Sequence, residues 1–336
     1  VVIAGHGIRL ANANESLLKF VDKYKIPVVT PILGIDNLET DNPNYIGRIG
    51  TKGTRAGNFA MQNSDLIISI GSRLSVSVVG HEYKLFAREA KRIVVDIDPN
   101  EHKKKTIEID KFINSDAKLF LDRLFELANK KSDFDFNEWL KKCHDWKVKY
   151  PVVLSDYGTE KEAVNYYYFI NELNKLSGKA PIISDAGSSF YIVSQAINIK
   201  KGQRYITSGG LATMGFNLPA GIGVCVANSN EPVIVVTGEG SLQQNIQELQ
   251  TIKHYNFPIK LFVINNGGYL SIRETQKRFF AGNLAGESES SGVSFPDIEK
   301  IATAYGIKYF KADSNSNLTD IIKDALEFQG PVVCEV

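Results

Sequence analysis

Short apolar runs alternate with amphipathic stretches along most of this chain. In the first part, residues 1–4, 27–30, 65–70 and 92–97 are continuous runs rich in Val and Ile. Runs of that length without polar alternation predict strands of a parallel sheet covered on both faces. Between the first two, residues 15–24 (Glu-Ser-Leu-Leu-Lys-Phe-Val-Asp-Lys-Tyr) carry apolar positions at helical spacing. Repeated strand–helix–strand order predicts a doubly wound α/β sheet. A second block has the same character. Strands are expected at 181–184, 233–236, 260–264 and 332–334, and helices at 167–176, 242–254, 295–305 and 318–328.

Between the blocks the pattern changes. Residues 129–160 are rich in Lys, Asp and aromatic side chains, with Trp139, Trp146 and Tyr150 ahead of Pro151. Leu140, Cys143 and Trp146 share one side if the stretch is helical. It reads as a linker whose aromatic residues pack on the domains. The expected organisation is a domain over 1–128, a linker over 129–160 and a second domain over 161–336. The Gly/Ser/Glu stretch 286–292 reads as a mobile loop.

Composition narrows the class. The chain has 336 residues, 43% hydrophobic, with a net charge of +1. Mixed charge without a basic-aromatic stripe argues against a nucleic-acid partner. No apolar run reaches the roughly 18 residues of a membrane helix. Cys143, Cys225 and Cys334 are scattered and odd in number, which fits buried thiols and a cytoplasmic location. The chain opens inside an apolar run without methionine and closes on another, so it reads as a piece of a longer protein.

The candidate chemistry lies in two turns. Val233-Ile-Val-Val-Thr-Gly238-Glu239-Gly240-Ser241 ends a strand, presents a carboxylate between glycines and opens a helix. Glycines let the backbone approach a ligand, and a helix start offers N–H groups to an anion. The second turn, Asn265-Asn266-Gly267-Gly268, follows another strand. If the two strands are neighbours, Glu239 and Asn266 face each other at the carboxyl edge, where open α/β sheets bind ligands. One carboxylate and one amide oxygen, completed by phosphate and water, suit Mg²⁺. Either turn alone is an ordinary corner; the pair, with a helix between, is specific.

Gly-Glu-Gly-Ser followed by Asn-Asn resembles the thiamine-diphosphate motif, which begins Gly-Asp-Gly. The resemblance extends to Thr207-Ser-Gly-Gly-Leu-Ala212-Thr-Met214-Gly-Phe-Asn-Leu-Pro219, to Ser241-Leu-Gln-Gln-Asn245-Ile-Gln-Glu-Leu-Gln-Thr-Ile252 and to Arg278-Phe-Phe. Those strings are similar to the acetolactate-synthase large subunit. In the first block, Gly5-His-Gly7, Gly50-Thr51, Gly71-Ser-Arg73 and Asp96-Ile-Asp98-Pro99 are similar to the middle domain of the same family.

That resemblance implies two doubly wound parallel-sheet domains and thiamine diphosphate held through Mg²⁺. It implies Glu239, Asn266 and the Gly268 carbonyl as metal ligands. Gly240 and Ser241, with the 185–189 turn carrying Gly187, Ser188 and Ser189, would donate to the diphosphate, and Gly238 is a further cofactor-binding position. Ala212 and Met214 would touch the cofactor rings, Met214 as the wedge that bends it, and Tyr269, Leu270, Ser271 and Ile272 are further cofactor-binding positions. Thr275 stands where the family has a tryptophan that shapes the acceptor pocket. Gly5, Gly7, Gly50, Thr51, Arg73 and Asp96 are the positions for FAD, a related nucleotide or nothing. The family's activating glutamate belongs to a further N-terminal domain that this chain lacks, so this chain alone is expected to be nearly inactive.

The resemblance further implies a carboligase that decarboxylates pyruvate and passes the two-carbon unit to a carbonyl acceptor, in a homodimer or homotetramer. A simple 2-keto acid decarboxylase and a non-catalytic nucleotide-binding module are the other readings. Three departures bear on this choice. Glu239 replaces an aspartate, Ser188-Ser189 replaces glutamine-histidine, and Leu270-Ser271 with Thr275 replaces glycine-methionine and tryptophan. The smaller Thr275 is expected to leave a wider acceptor pocket.

Overall fold

Residues 1–130 and 134–336 are described by a computed structural model; residues 131–133 of the stretch read as a linker lie outside the described residues. Twelve strands occur among the described residues: β1 (Val2–Ala4), β2 (Val28–Thr30), β3 (Tyr45–Arg48), β4 (Leu66–Ile70), β5 (Lys91–Asp96), β6 (Lys111–Asn114), β7 (Ile182–Ser184), β8 (Tyr205–Ile206), β9 (Val233–Gly238), β10 (Ile259–Ile264), β11 (Lys308–Lys311) and β12 (Val332–Glu335). They form two six-stranded, wholly parallel sheets, so the two-domain α/β expectation holds. The chain divides into one unit of Val1–Val152 with Asn198–Lys201, and a second of Val153–Ile197 with Gly202–Val336.

The first sheet runs β3-β2-β1-β4-β5-β6. Its strands alternate between two buried layers. Val2, Ala4, Val28, Ile70 and Val95 pack on one face, while Ile3, Val29, Ile67 and Val94 pack on the other. Helices on both faces bury all of these, which is why the runs carry no polar alternation. Helix Asn14–Tyr24 covers the first layer with Leu17, Phe20, Val21 and Tyr24. Helix Asn137–Lys149 lies in the stretch read as a linker. It buries Leu140 and Cys143 in the second layer, with Trp139 and Trp146 against them. Chain up to Val152 therefore packs with the first unit: its spacing is that of a core helix, and on the inner side Lys147 donates to the Thr40 and Tyr45 carbonyls.

The second sheet runs β11-β12-β10-β9-β7-β8. Its chain order reverses beside β7, placing the crevice between β7 and β9 at the carboxyl edge. Helix Tyr166–Leu176 starts where the Asn165 side chain accepts from the Tyr167 and Tyr168 N–H groups. The helix expected at 242–254 is broken. Residues Glu239–Leu242 are helical, Gln243–Asn245 tighten to a 3₁₀ turn, and Glu248–His254 resume. In the break the Asn245 amide donates to the Gly215 carbonyl at 2.8 Å, so that residue serves the neighbouring loop. The helix expected from 295 begins at Ile298, capped by Asp297, because Phe295 precedes Pro296 and is pushed towards extended backbone. No helix among the described residues is long and apolar enough to cross a membrane.

Candidate cofactor site

Strands β9 and β10 are parallel neighbours, with Gly238 opposite Ile264. Both strands therefore end at one level. Glu239 opens the helix after β9, and the turn 265–268 follows β10 beside it. Glu239 is 3% exposed and borders a cleft of about 490 Å³ shared with Gly267, Phe295 and Tyr309. Its Oε1 accepts the Gly268 N–H at 2.7 Å, and the Asn266 N–H also faces the carboxylate. Burial raises the Glu239 carboxyl above its usual range, while these donors and the Arg273 charge act the other way. The carboxylate is thus folded against the 265–268 turn.

The two asparagines do different things. Asn265 turns away: its amide donates to Glu335 at 2.9 Å and its N–H to the Val336 carbonyl. The side-chain oxygen of Asn266 is buried and accepts no hydrogen bond from the described residues. A buried polar atom normally has a partner, so this oxygen calls for one. A carboxylate and an unpaired amide oxygen in one turn pair form a hard donor set, which fits Mg²⁺ bridged to phosphate. The Gly268 carbonyl accepts the Leu270 N–H at 3.2 Å and keeps a second lone pair.

The glycines of Gly-Glu-Gly are required for different reasons. A Cβ on Gly240 would lie 2.3 Å from the Tyr269 ring, which itself packs edge-on to Phe295 at 5.2 Å. A Cβ on Gly238 would meet no protein atom within 4 Å. Gly238 faces open space, whereas Gly240 is fixed by the protein. Gly187 adopts φ +58°, and a Cβ there would lie 3.5 Å from the Ser271 hydroxyl. The 185–189 turn and the start of helix Leu270–Phe279 therefore meet at this edge.

A buried carboxylate ties these segments together. Asp185, at the end of β7, is fully buried. It accepts the Ala186 N–H at 2.7 Å, the Ser189 hydroxyl at 3.1 Å and the Gly215 N–H at 3.1 Å, and the Ser241 hydroxyl also bonds it. Burial pushes its carboxyl up to about 6, against all four donors. The Ser189 hydroxyl, read from sequence as facing a diphosphate, is turned to Asp185 and the Ala186 carbonyl. Ser188 is half-buried beside it. Gly215 follows half-buried Met214, so Asp185 fixes the loop of Met214 and of Ala212, whose φ is +46°. Sequence reading placed Asp185 in the turn without recognising this linking role.

On helix Leu270–Phe279, Leu270 is half-buried and Ile272 is exposed. Thr275 is exposed and donates its hydroxyl to the Ser271 carbonyl at 2.8 Å. Phe279 and Phe280 are 68% and 60% exposed, so neither ring is folded into the protein. The stretch 286–292, read as a mobile loop, is a hydrogen-bonded turn, with Gly286 donating to Ser291 and Val293 to Ser288, around a buried Glu287. Composition hid this, because Ser hydroxyls close the turn internally.

The nucleotide candidates of the first unit also gather at a carboxyl edge, after β1, β3, β4 and β5. Gly5 and Gly7 donate to the Ile70 and Gly71 carbonyls at 2.9 and 3.0 Å. A Cβ on Gly5 would lie 2.1 Å from the Gly71 oxygen. These glycines therefore let two strand ends touch. Gly50 donates to the Asn58 side chain and Thr51 to the Ser77 carbonyl, both at 2.9 Å. Arg73 pairs with Glu101 at 3.2 Å while remaining largely exposed. Asp96 faces His102 at 3.3 Å and accepts the Asp98 N–H at 3.0 Å.

Two family models match the chain. Residues 185–336 match the thiamine pyrophosphate enzyme C-terminal TPP-binding domain, and residues 1–124 match the thiamine pyrophosphate enzyme central domain. Among curated proteins, the chain is 33% identical over 336 residues to an acetolactate synthase large subunit of Porphyra purpurea, covering 99% of the chain and 56% of that protein. It is 35% identical over 336 residues to that of Lactococcus lactis subsp. lactis (strain IL1403), covering 100% and 57%. With chloroplastic acetolactate synthase 1 of Zea mays the identity is 32% over 335 residues, covering 97% and 52%. The chain thus spans little more than half the length of these relatives.

Proposed function

Because the chain belongs to the thiamine pyrophosphate enzymes, of which it carries the central and the C-terminal domains, we propose that it is the cofactor-anchoring part of a carboligase acting on pyruvate and a carbonyl acceptor. The observation that carries this reading is the buried, unpaired Asn266 oxygen in a turn that also folds over the Glu239 carboxylate. Glu239, Asn266 and the Gly268 carbonyl are the groups to hold Mg²⁺. Gly238 leaves room for the diphosphate, and the helix start at Gly240 and Ser241 supplies N–H groups to it.

Thiamine diphosphate, when bound, supplies a carbanion that adds to a keto group and an electron sink that lets CO₂ leave. The protein's part is orientation and a dry pocket. Asp185 holds the 185–189 turn, the Met214 loop and Ser241 in one arrangement, so Met214 is presented from a fixed loop. Thr275 and the outward Phe279 and Phe280 leave the acceptor side open. This favours an acceptor bulkier than pyruvate. The relatives are named acetolactate synthases, which fits a carboligase reading. The whole protein is proposed to assemble as a homodimer or homotetramer, with FAD the candidate nucleotide for the first unit.

The test is product analysis with full-length protein, thiamine diphosphate, Mg²⁺ and pyruvate, with and without a panel of ketones. A mixed two-carbon adduct supports the proposal. Acetaldehyde alone would make the protein a decarboxylase. Acetolactate formed rapidly and unimproved by any ketone would restrict the acceptor to a keto acid.

A further inference from the structure

The turn that carries Asn266 is gripped from outside by an ion pair between half-buried Arg273 and buried Glu287. Glu287 is 1% exposed, although it lies in a Gly/Ser/Glu stretch. Its carboxylate accepts the Arg273 Nε–H on one oxygen and the Ser288 and Ser291 hydroxyls on the other. Arg273 also donates to the Gly267 carbonyl at 3.0 Å. The Glu287 carbonyl accepts the Tyr269 N–H at 2.7 Å, and a Cβ on Gly268 would strike that carbonyl at 2.0 Å. Residues 267, 268 and 269 are therefore each set against this pair, and the Gly268 N–H in turn reaches Glu239.

Charge adds a second constraint. The Arg273 guanidinium is seated on the Gly267 carbonyl at 3.0 Å, one residue from the Gly268 N–H that donates to Glu239 at 2.7 Å, so its charge lies beside that carboxylate. A fixed guanidinium beside a cation site repels the cation unless a carboxylate cancels it. Glu287 is placed to do so.

We propose that Arg273 and Glu287 are positioning residues for the divalent-cation site, holding the 267–269 turn in place while Glu287 cancels the guanidinium charge beside Glu239. This rests on the reading of Glu239 and Asn266 as cation ligands.

The experiment uses full-length protein with thiamine diphosphate and Mn²⁺ as the probe, free Mn²⁺ being read by electron paramagnetic resonance. Glu287→Gln should weaken Mn²⁺ binding about tenfold or more, a decade being about 1.4 kcal/mol. The defect should shrink in high salt, where an uncompensated charge is screened. Arg273→Gln with Glu287→Gln should recover most of the affinity, since neither charge remains. Arg273→Lys keeps the charge but cannot hold both Glu287 and Gly267, so it should show a smaller, salt-insensitive loss; this variant carries the test if Glu287→Gln does not fold. Wild-type affinity in Glu287→Gln, or a double variant no better than the single, would overturn the charge role. Unchanged affinity in Arg273→Lys would overturn the tether. Glu239→Gln is the control: if it retains Mn²⁺, the underlying ligand assignment fails, which is a separate outcome.

Discussion

The backbone N–H of Gly268 donates to the Glu239 carboxylate at 2.7 Å, joining the turn after β10 to the turn after β9. One hydrogen bond thus fixes the carboxylate and the turn of Asn266 in a common frame. Asn266 itself adds nothing to that frame through its side-chain oxygen, which is buried and unpaired among the described residues. Stability is therefore given up there. Asn266→Ala should leave the unfolding free energy within about 0.5 kcal/mol of wild type or raise it, since an unsatisfied buried group is removed. It should weaken cofactor-dependent cation binding by about tenfold or more. Parallel urea titration and Mn²⁺ binding check both halves, and a large loss of stability without loss of affinity would contradict a ligand role.

The two glycines flanking Glu239 should respond oppositely. Gly240→Ala places a Cβ against the Tyr269 ring, which is braced by Phe295, and should cost about 1–3 kcal/mol. Gly238→Ala meets open space and sits at φ −96°, which alanine adopts freely. It should fold as wild type yet bind thiamine diphosphate less tightly. Calorimetric unfolding and cofactor titration of both variants separate the cases, and tight cofactor binding by Gly238→Ala would move the diphosphate elsewhere.

Asp185 makes the second unit's stability depend on pH. Burial raises its folded-state pKa from 3.8 to about 6. A carboxyl with a raised folded value contributes most below its unfolded pKa, and that contribution is lost as pH rises through about 6. The change amounts to about 3 kcal/mol. Asp185→Asn removes the titration. Whatever its constant offset, the variant should gain about that much on wild type between about pH 4 and about pH 7. Urea unfolding of cofactor-free protein across this range checks it, and a pH-independent difference would contradict it.

Thr275→Trp should narrow the acceptor side. Rejection of a larger acceptor by a filled pocket is worth roughly 10–200-fold where packing decides, and more where there is a clash. The kcat/KM for a bulky ketone should fall by that order relative to pyruvate as acceptor, while decarboxylation persists. Equal loss of both would place Thr275 at the cofactor instead of the acceptor.

The eight interior strands were legible in the sequence and the four edge strands were not. Interior strands such as β9 and β10 are almost wholly buried and read as apolar runs, residues 233–236 in β9 and 261–264 in β10, where the one charge, Lys260, donates to the Phe328 and Gly330 carbonyls. The edges β3 (Tyr-Ile-Gly-Arg), β6 (Lys-Phe-Ile-Asn), β8 and β11 (Lys-Tyr-Phe-Lys) are short or carry charge, as edges that avoid pairing do. The placement of Glu239 and Asn266 on neighbouring turns was legible because each stands in a glycine turn after a strand. Arg273 and Glu287 were not. Their pairing spans 14 residues of helix and loop, and no local pattern in a Gly/Ser/Glu run marks one carboxylate as buried.

The most direct measurement is the position of Mn²⁺ in crystals of full-length protein grown with thiamine diphosphate, located by its anomalous signal. The expected result is one ion about 2.1–2.2 Å from a Glu239 carboxylate oxygen and from the Asn266 amide oxygen, with diphosphate oxygens completing its shell. An ion on the diphosphate that touches neither residue would contradict the central claim.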